Sequence, residues 1–386
     1  MKRKISERAR GVPPSGIRKF FELVMGIEDV ISLGVGEPDF VTPWHIREAC
    51  MYSLEQGYTM YTSNYGILEL RQQISKKLNT DYSLQYDPND EILVTVGVSE
   101  GFDLALRALI NPGEEVILHE PSYVSYKPCT IFTGGIPKIV NTDVEDEFKV
   151  LPEKIEKKIT DKTKVLILNY PNNPTGAIMR KKNLEEIADV ANNHDLIVIS
   201  DEVYDKLTYN TKHVSFASLN GMKERTVLLN GFSKSYAMTG LRIGYAACNK
   251  TIIEAMMKIH QYSMLCAPIT GQMAAIEALK NGEDQVVEMR RQYNERRKLI
   301  VKRFNEMDLP CFESKGAFYA FPSISSCGVS SEEFAEKLLK KEKVAVVPGN
   351  VFGQSGEGFL RCSYSASLKD ITEAMDRIEH FVEKHI

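Results

Sequence analysis

The chain has 386 residues, 43% of them apolar and 26% charged, with a formal net charge of −4 at pH 7. That length predicts one large domain with a smaller companion, and the acidic balance excludes the basic face of a nucleic-acid binder. No apolar run approaches the roughly 18 residues of a membrane span, and the basic start "MKRKISERAR" leads into no apolar stretch of a secretory signal.

In chain order, "ISLGVGEPDF" reads as a short strand followed by a turn-rich loop. The N-terminal 40 residues are too few to fold alone and are expected to pack on the C-terminal part. "EILVTVG" (91–97) reads as a strand and "SEGFDLALRALI" (99–110) as a helix. Further strands are predicted at 114–120, 164–170, 196–200, 226–232 and 242–247. Between two of them, Leu184, Ile187, Ala188 and Ala191 fall on one helical face. Strands apolar on both faces, separated by helices, imply an α/β fold with a mostly parallel sheet covered on both sides. Residues 271–305 read as one long amphipathic helical region. Strands at 316–322, 344–349 and 358–365 and helices at 331–341 and 368–385 then describe a smaller α+β domain. The expected division is an arm over 1–40, a large domain over 41–280 and a small domain over 281–386.

Several polar residues fall where such sheets carry ligands, at the carboxyl ends of strands. Val98 and Ser99 open a helix whose first N–H groups lack partners and suit an anion; taken alone, an ordinary serine-capped helix start is the better reading. Asp201 follows "LIVIS", and a carboxylate at a buried strand end needs a cationic partner; Tyr204, three residues on, would face the same way on a helical turn. "NYPNNPTG" (169–176) is a rigid turn offering asparagine amides. Lys234 sits in "GFSKSYAMTGLRIG" with Arg242 nearby; a lone lysine there reads as a loop residue reaching solvent, but one beside a sheet end and a second cation has reason to lose its proton. Arg361, within the apolar "GFLRCSYS", requires an anion, either a structural carboxylate or a bound one. The seven cysteines are scattered with no C-x-x-C, which predicts reduced thiols in the cytoplasm. The seven histidines show no metal-binding spacing.

"SKSYAMTGLRIG", "NPTG" and "SDEVY", in their order, make the sequence resemble the fold-type I aminotransferases of class I/II. The resemblance runs from "GVGEPDF" through "RCSYS", nearly the whole chain. It implies a seven-stranded, mostly parallel sheet sandwiched by helices, a smaller α+β domain, and the cofactor pyridoxal 5'-phosphate. It implies that Lys234 is the Schiff-base lysine and that Asp201 pairs with the pyridine nitrogen. Asn173 and Tyr204 would donate to the ring oxygen, and Tyr123 would stack on the ring. Arg242, Ser233 and the Val98–Ser99 backbone would hold the phosphate. Arg361, helped by Gly36, would grip the substrate carboxylate, with Asn173 beside it. Tyr61 would reach the phosphate of a neighbouring subunit, which implies a homodimer with shared sites.

The implied activity is transfer of an amino group between an L-amino acid and a 2-oxo acid by a ping-pong route, with aspartate or an aromatic amino acid paired with 2-oxoglutarate. A C–S β-lyase uses nearly the same scaffold and is the alternative; a non-catalytic regulator would carry a basic DNA-binding domain that the sequence does not contain. Three positions depart from the family pattern. Gly231 stands where some relatives have serine or threonine, Ser99 where some aspartate-specific relatives have lysine, and Tyr123 where tryptophan also occurs.

Overall fold

A computed structural model describes residues 4–385 of the chain. Strand β1 (Ile31–Ser32) pairs in parallel with a strand more than 300 residues further on, at Val344–Ala345. The chain then builds β2 (Ile92–Thr95), β3 (Glu115–Glu120), β4 (Ile136–Asn141), β5 (Thr163–Asn169), β6 (Ile197–Asp201), β7 (Thr226–Gly231) and β8 (Gly244–Ala247). These seven form one sheet in the order β2-β8-β7-β6-β5-β3-β4. β8 runs antiparallel to both its neighbours, and every other pairing is parallel.

Alternate residues of each central strand enter opposite layers, as the two-residue strand period requires. Ile117, Leu166, Leu168 and Val198 pack with Leu184, Ile187 and Ala191 of the helix Lys181–Asn193. Val116, Val165, Ile167, Ile199, Val227 and Leu229 pack with Phe102 and Leu106 of the helix Gly97–Leu109, and with Ile253 and Met256 of the helix Lys250–Ser263. Each such buried side chain contributes about 1.5–3 kcal/mol relative to exposure, so both faces of the sheet drive folding. This is why the strands read as unbroken apolar runs.

Strand β4 escaped that reading. It lies at the sheet edge, and its sequence IPKIVN buries only Val140 fully. A proline and a lysine are tolerated there because an edge strand leaves one row of backbone groups unpaired. The single helical region expected at 271–305 is two helices, Ile269–Asn281 and Glu283–Glu306. They part at Gly282, where a Cβ would stand 2.6 Å from the Ala278 carbonyl oxygen and 3.0 Å from the Tyr236 ring.

The C-terminal strands are shorter than the apolar runs suggested: β9 (Tyr319–Ala320), β10 (Val344–Ala345), β11 (Val347–Pro348) and β12 (Leu360–Ser363). β12 sits between β11 and β9, antiparallel to both. Helices Ser331–Glu342 and Leu368–His385 cover them with Phe334, Leu338, Ile371, Ile378 and Phe381. Among the described residues no helix is long and apolar enough to cross a membrane.

The register gathers polar residues on one rim of the large sheet. Asn169 lies opposite Asp201, Asp201 opposite Leu229, and Gly244 opposite both Gly231 and Thr95. The carboxyl ends of β2, β5, β6 and β7 therefore meet the start of β8, which is where a ligand crevice opens in sheets of this kind.

Candidate active site

The floor of the crevice is Asp201, the last residue of β6 and only 6% exposed. Its Oδ2 accepts from the Tyr126 hydroxyl at 2.7 Å and its Oδ1 from the Val203 N–H at 3.2 Å. Burial nevertheless raises its pKa to about 6, because two hydrogen bonds do not replace the lost hydration. A cationic ligand group facing it would restore the balance. Asn169 braces the same corner, donating to the Asp201 carbonyl at 3.1 Å and accepting from the Asn173 N–H at 3.1 Å.

Beyond β7, residues 232–243 make an excursion that returns as β8 and carries two cations. Lys234 Nζ donates to the Gly36 carbonyl at 2.6 Å. Its pKa falls to about 8, chiefly through burial; Glu37 and Asp201 pull it up, while Arg361 and Arg242 push it further down. Arg242 occupies the left-handed region at φ 55, ψ 52, a conformation uncommon for a non-glycine residue. Its Nη1 donates to the Thr239 carbonyl at 3.0 Å, and its guanidinium lies against Gly97. A Cβ on Gly97, itself at φ 73, would stand 2.9 Å from Arg242 Cζ and overlap Nη2.

The helix starts at Gly97, two residues before the sequence reading placed it, so Ser99 is within the first turn and not its cap. The N–H groups of that turn, including Val98 and Ser99, have no acceptor inside the helix. Ser233, next to Lys234 in the chain, is buried. Gly231 needs its lack of side chain: a Cβ there would stand 3.0 Å from Val98 Cγ2 and from Gly244 Cα. A serine or threonine hydroxyl at 231 would have to displace that contact.

The opposite wall comes from the C-terminal strands. Arg361 on β12 is 2% exposed. Its Nη1 donates to Asn173 Oδ1 at 3.0 Å and its Nη2 to the Gly34 carbonyl at 2.7 Å. The guanidinium lies between the rings of Tyr319, 4.6 Å away, and Phe352, 4.8 Å away. Its Nε is buried without a partner. Gly36 passes so close that a Cβ would stand 2.8 Å from the Tyr319 hydroxyl and 3.5 Å from both terminal nitrogens of Arg361. Tyr204 lies in a turn, not a helix, and its hydroxyl meets that of Tyr319 at 2.8 Å. Tyr123 stands edge-on to Tyr126, with ring centroids 5.7 Å apart.

Ten of the sequence-read residues thus reach one crevice through shared contacts or adjacent backbone: Gly36, Val98, Ser99, Tyr123, Asn173, Asp201, Tyr204, Ser233, Lys234 and Arg242, with Arg361 closing it. Tyr61 stands apart, its side chain 81% exposed. Sequence reasoning missed Tyr126, Tyr319 and Phe352. Tyr126 is three residues beyond Tyr123 in "EPSYVSY", the one local signal that pointed to it.

Lys234, Arg242 and Arg361 have only carbonyl oxygens and an amide as partners; among the described residues no carboxylate pairs with any of them. Three cations sharing a crevice with one protonatable aspartate require anions from outside the chain. The donor set fits pyridoxal 5'-phosphate. A first helical turn and Arg242, in a cradle a Cβ at 97 would fill, suit the phosphate. A low-pKa amine suits the aldehyde, and Asp201 suits the pyridine nitrogen. Arg361, a buried cation bonded only to an amide oxygen and a carbonyl, suits a further anion.

Comparison with known proteins agrees with this chemistry. The family profile "Aminotransferase class I and II" matches residues 28–378. The chain is 52% identical over 380 residues to a protein named putative aminotransferase YugH of Bacillus subtilis, spanning 98% of each chain. It is 50% identical to an aspartate aminotransferase of Pyrococcus abyssi, spanning 97% of each. Among solved structures, the aromatic aminotransferase of Pyrococcus horikoshii superposes with a TM-score of 0.91 at 48% identity, covering 95% of this chain and 99% of that one. With the crevice, the whole-length fold and these relatives in agreement, the chain belongs to the class I and II aminotransferases and works as a pyridoxal-phosphate-dependent aminotransferase.

Proposed function

We propose that this crevice moves an amino group from an aromatic or dicarboxylic L-amino acid to 2-oxoglutarate in two half-reactions on one site. The observation that carries the reading is Lys234, its amine drawn to about 8, beside Arg361, a buried cation with no carboxylate of its own. When bound, pyridoxal phosphate supplies an aldehyde that takes up the amino group and a ring that withdraws electrons.

The chain's residues divide the remaining work. Arg361, its planar fork fixed between two rings, binds the α-carboxylate of either substrate. Asn173 spends its Oδ1 on Arg361, which leaves its amide N–H groups to donate toward the ring oxygen together with the Tyr204 hydroxyl. Lys234, neutral in a substantial fraction near pH 8, takes the α-proton and delivers it back within the crevice. Asp201 holds a positive charge opposite its carboxylate, where the low dielectric strengthens the attraction. Arg242, Ser233 and the Val98–Ser99 backbone would hold the phosphate, and Tyr123 would cover the ring. The neutral Ser99 supports an aromatic side chain, since the three cations of the crevice already have roles. Relatives named for aspartate and for aromatic substrates support the same pair of donors.

The working unit in this reading is a homodimer. Trp44, Met60, Tyr61 and Met264 are exposed, and Tyr262 is 88% exposed. Asn64 donates to the Leu265 carbonyl at 2.7 Å and Gln272 to Thr62 at 3.1 Å, so the two segments make one apolar surface. Such a surface marks an interface, from which Tyr61 would reach the neighbour's phosphate. Seven free cysteines support a cytoplasmic setting. The test is a half-reaction screen. The loaded protein is mixed with single amino acids and the cofactor absorbance is followed. Conversion by aromatic or acidic amino acids with release of the 2-oxo acid is expected; release of pyruvate and ammonia from cysteine conjugates, with no conversion by other amino acids, would overturn the reading.

A further inference from the structure

Between β11 and β12 the chain forms a closed lobe, residues 349–356. Gly349 and Gly356 make its neck, and a Cβ on either would overlap the other's carbonyl oxygen. The lobe carries Phe352, whose ring covers one face of Arg361. Two hydrogen bonds fasten it to the end of β3 in the large sheet. The Ser122 N–H donates to the Phe352 carbonyl at 3.0 Å, and the Gln354 N–H donates to Glu120 Oε2 at 3.0 Å. Gly353, at φ 122, lies so near the carboxylate that a Cβ would stand 2.5 Å from Glu120 Cγ and overlap the carboxyl group.

Glu120 is 6% exposed, and among the described residues its carboxylate has no ion-pair partner. Burial raises its pKa, against the pull of Lys127. A charge left in that setting is costly, and packing alone would be served better by a neutral residue. Its one specific contact is with the lobe over Arg361. It also sits three residues before Tyr123, on the same segment.

We propose that Glu120 is a positioning residue for substrate recognition: it latches the 349–356 lobe so that Phe352 holds the Arg361 guanidinium edge-on to the crevice. The inference rests on Arg361 as the carboxylate grip. The Glu120 carboxylate touches neither cofactor nor substrate. It fixes the lobe, the lobe fixes a ring, and the ring fixes the plane of the fork that meets a carboxylate.

The test uses the loaded enzyme and E120A, E120Q and G353A variants, with circular dichroism as a check of folding. In E120A the Gln354 N–H loses its acceptor, so KM for both amino acid and 2-oxo acid should rise about tenfold. The kcat value and cofactor affinity should stay within about twofold. E120Q keeps an acceptor oxygen and should recover most of the loss. G353A, which pushes the carboxylate away without removing it, should raise KM in the same direction. An amine lacking a carboxylate should react equally with wild type and E120A. Unchanged KM in folded E120A and G353A would overturn the proposal. Equal losses in KM and cofactor affinity would overturn it too, by showing general loosening. A wild-type protein that converts no amino acid would refute the functional reading, whereas a wild type that converts amino acids beside variants with unaltered KM would refute the latch alone.

Discussion

Replacing Gly97 with alanine tests the phosphate cradle at its tightest point. The new methyl carbon would overlap Arg242 Nη2 and lie 2.9 Å from Cζ. The backbone at φ 73 penalises any Cβ by about 1–2 kcal/mol. The arginine must then swing away from the first turn of the helix Gly97–Leu109. Loss of one charge-assisted contact to a phosphate costs about 1.5–3 kcal/mol, so cofactor affinity should fall about 10- to 150-fold. Titration of the apoenzyme with pyridoxal phosphate, read by absorbance, measures this directly. Two controls separate the causes. Gly113 shares a positive φ, 89, with nothing within 4 Å of a Cβ; G113A should lower stability by the same backbone cost and leave affinity unchanged. Gly240 has neither feature, and G240A should change neither. An affinity in G97A within about twofold of wild type would refute the placement of the phosphate against Gly97 and Arg242.

Further outcomes follow from the same contacts. K234A should slow the half-reaction by about 10²–10⁴, the usual worth of a positioned general base, in single-turnover absorbance traces. R361M removes two charge-assisted bonds and should lower kcat/KM for amino acids about 10²–10⁴-fold, while an amine without a carboxylate reacts as before. In the apoenzyme the Asp201 carboxyl, at about 6, titrates above the ordinary value near ~3.9. The folded state therefore binds its proton more tightly than the unfolded chain, and stability is lost as pH rises from about 4 to about 6. D201N, in which the Tyr126 hydroxyl can turn to suit an amide, should flatten that fall in urea denaturation and yet lose activity. Lys234, at about 8, behaves in the opposite sense. The unfolded lysine keeps its proton to about 10.4, so apoenzyme stability should rise between about 8 and 10.4, and K234A should remove the rise.

Much of this site was legible because its residues follow strands that announce themselves. Asp201 ends the run LIVIS, and Lys234 follows TVLLNGF; a buried strand that stops at a polar residue is visible without coordinates. What the sequence hid depends on tertiary contact. Tyr126 reaches Asp201 from a helix 75 residues away in sequence, and Tyr319 and Phe352 enclose Arg361 from two different segments. Nothing local distinguishes Tyr319 and Phe352 from core residues, and only its spacing from Tyr123 hinted at Tyr126. Strand β4 was hidden for the converse reason, since an edge position relaxes the apolar pattern on which recognition depends. The break at Gly282 was hidden because a lone glycine within a helical pattern is usually tolerated; here close approach of Tyr236 gives it a purpose.

The excursion over residues 232–243 leaves and re-enters the sheet at Gly231 and Gly244, which face each other across one rung of the β7–β8 ladder. Both of its cations are thereby geared to a single hairpin. A chain that closes on the wrong rung misplaces the two together, and such a molecule would stay colourless however compact it became. In protein saturated with pyridoxal phosphate, the imine absorbance per chain therefore doubles as a gauge of correct strand pairing, and it can grade any variant before its turnover is ever assayed.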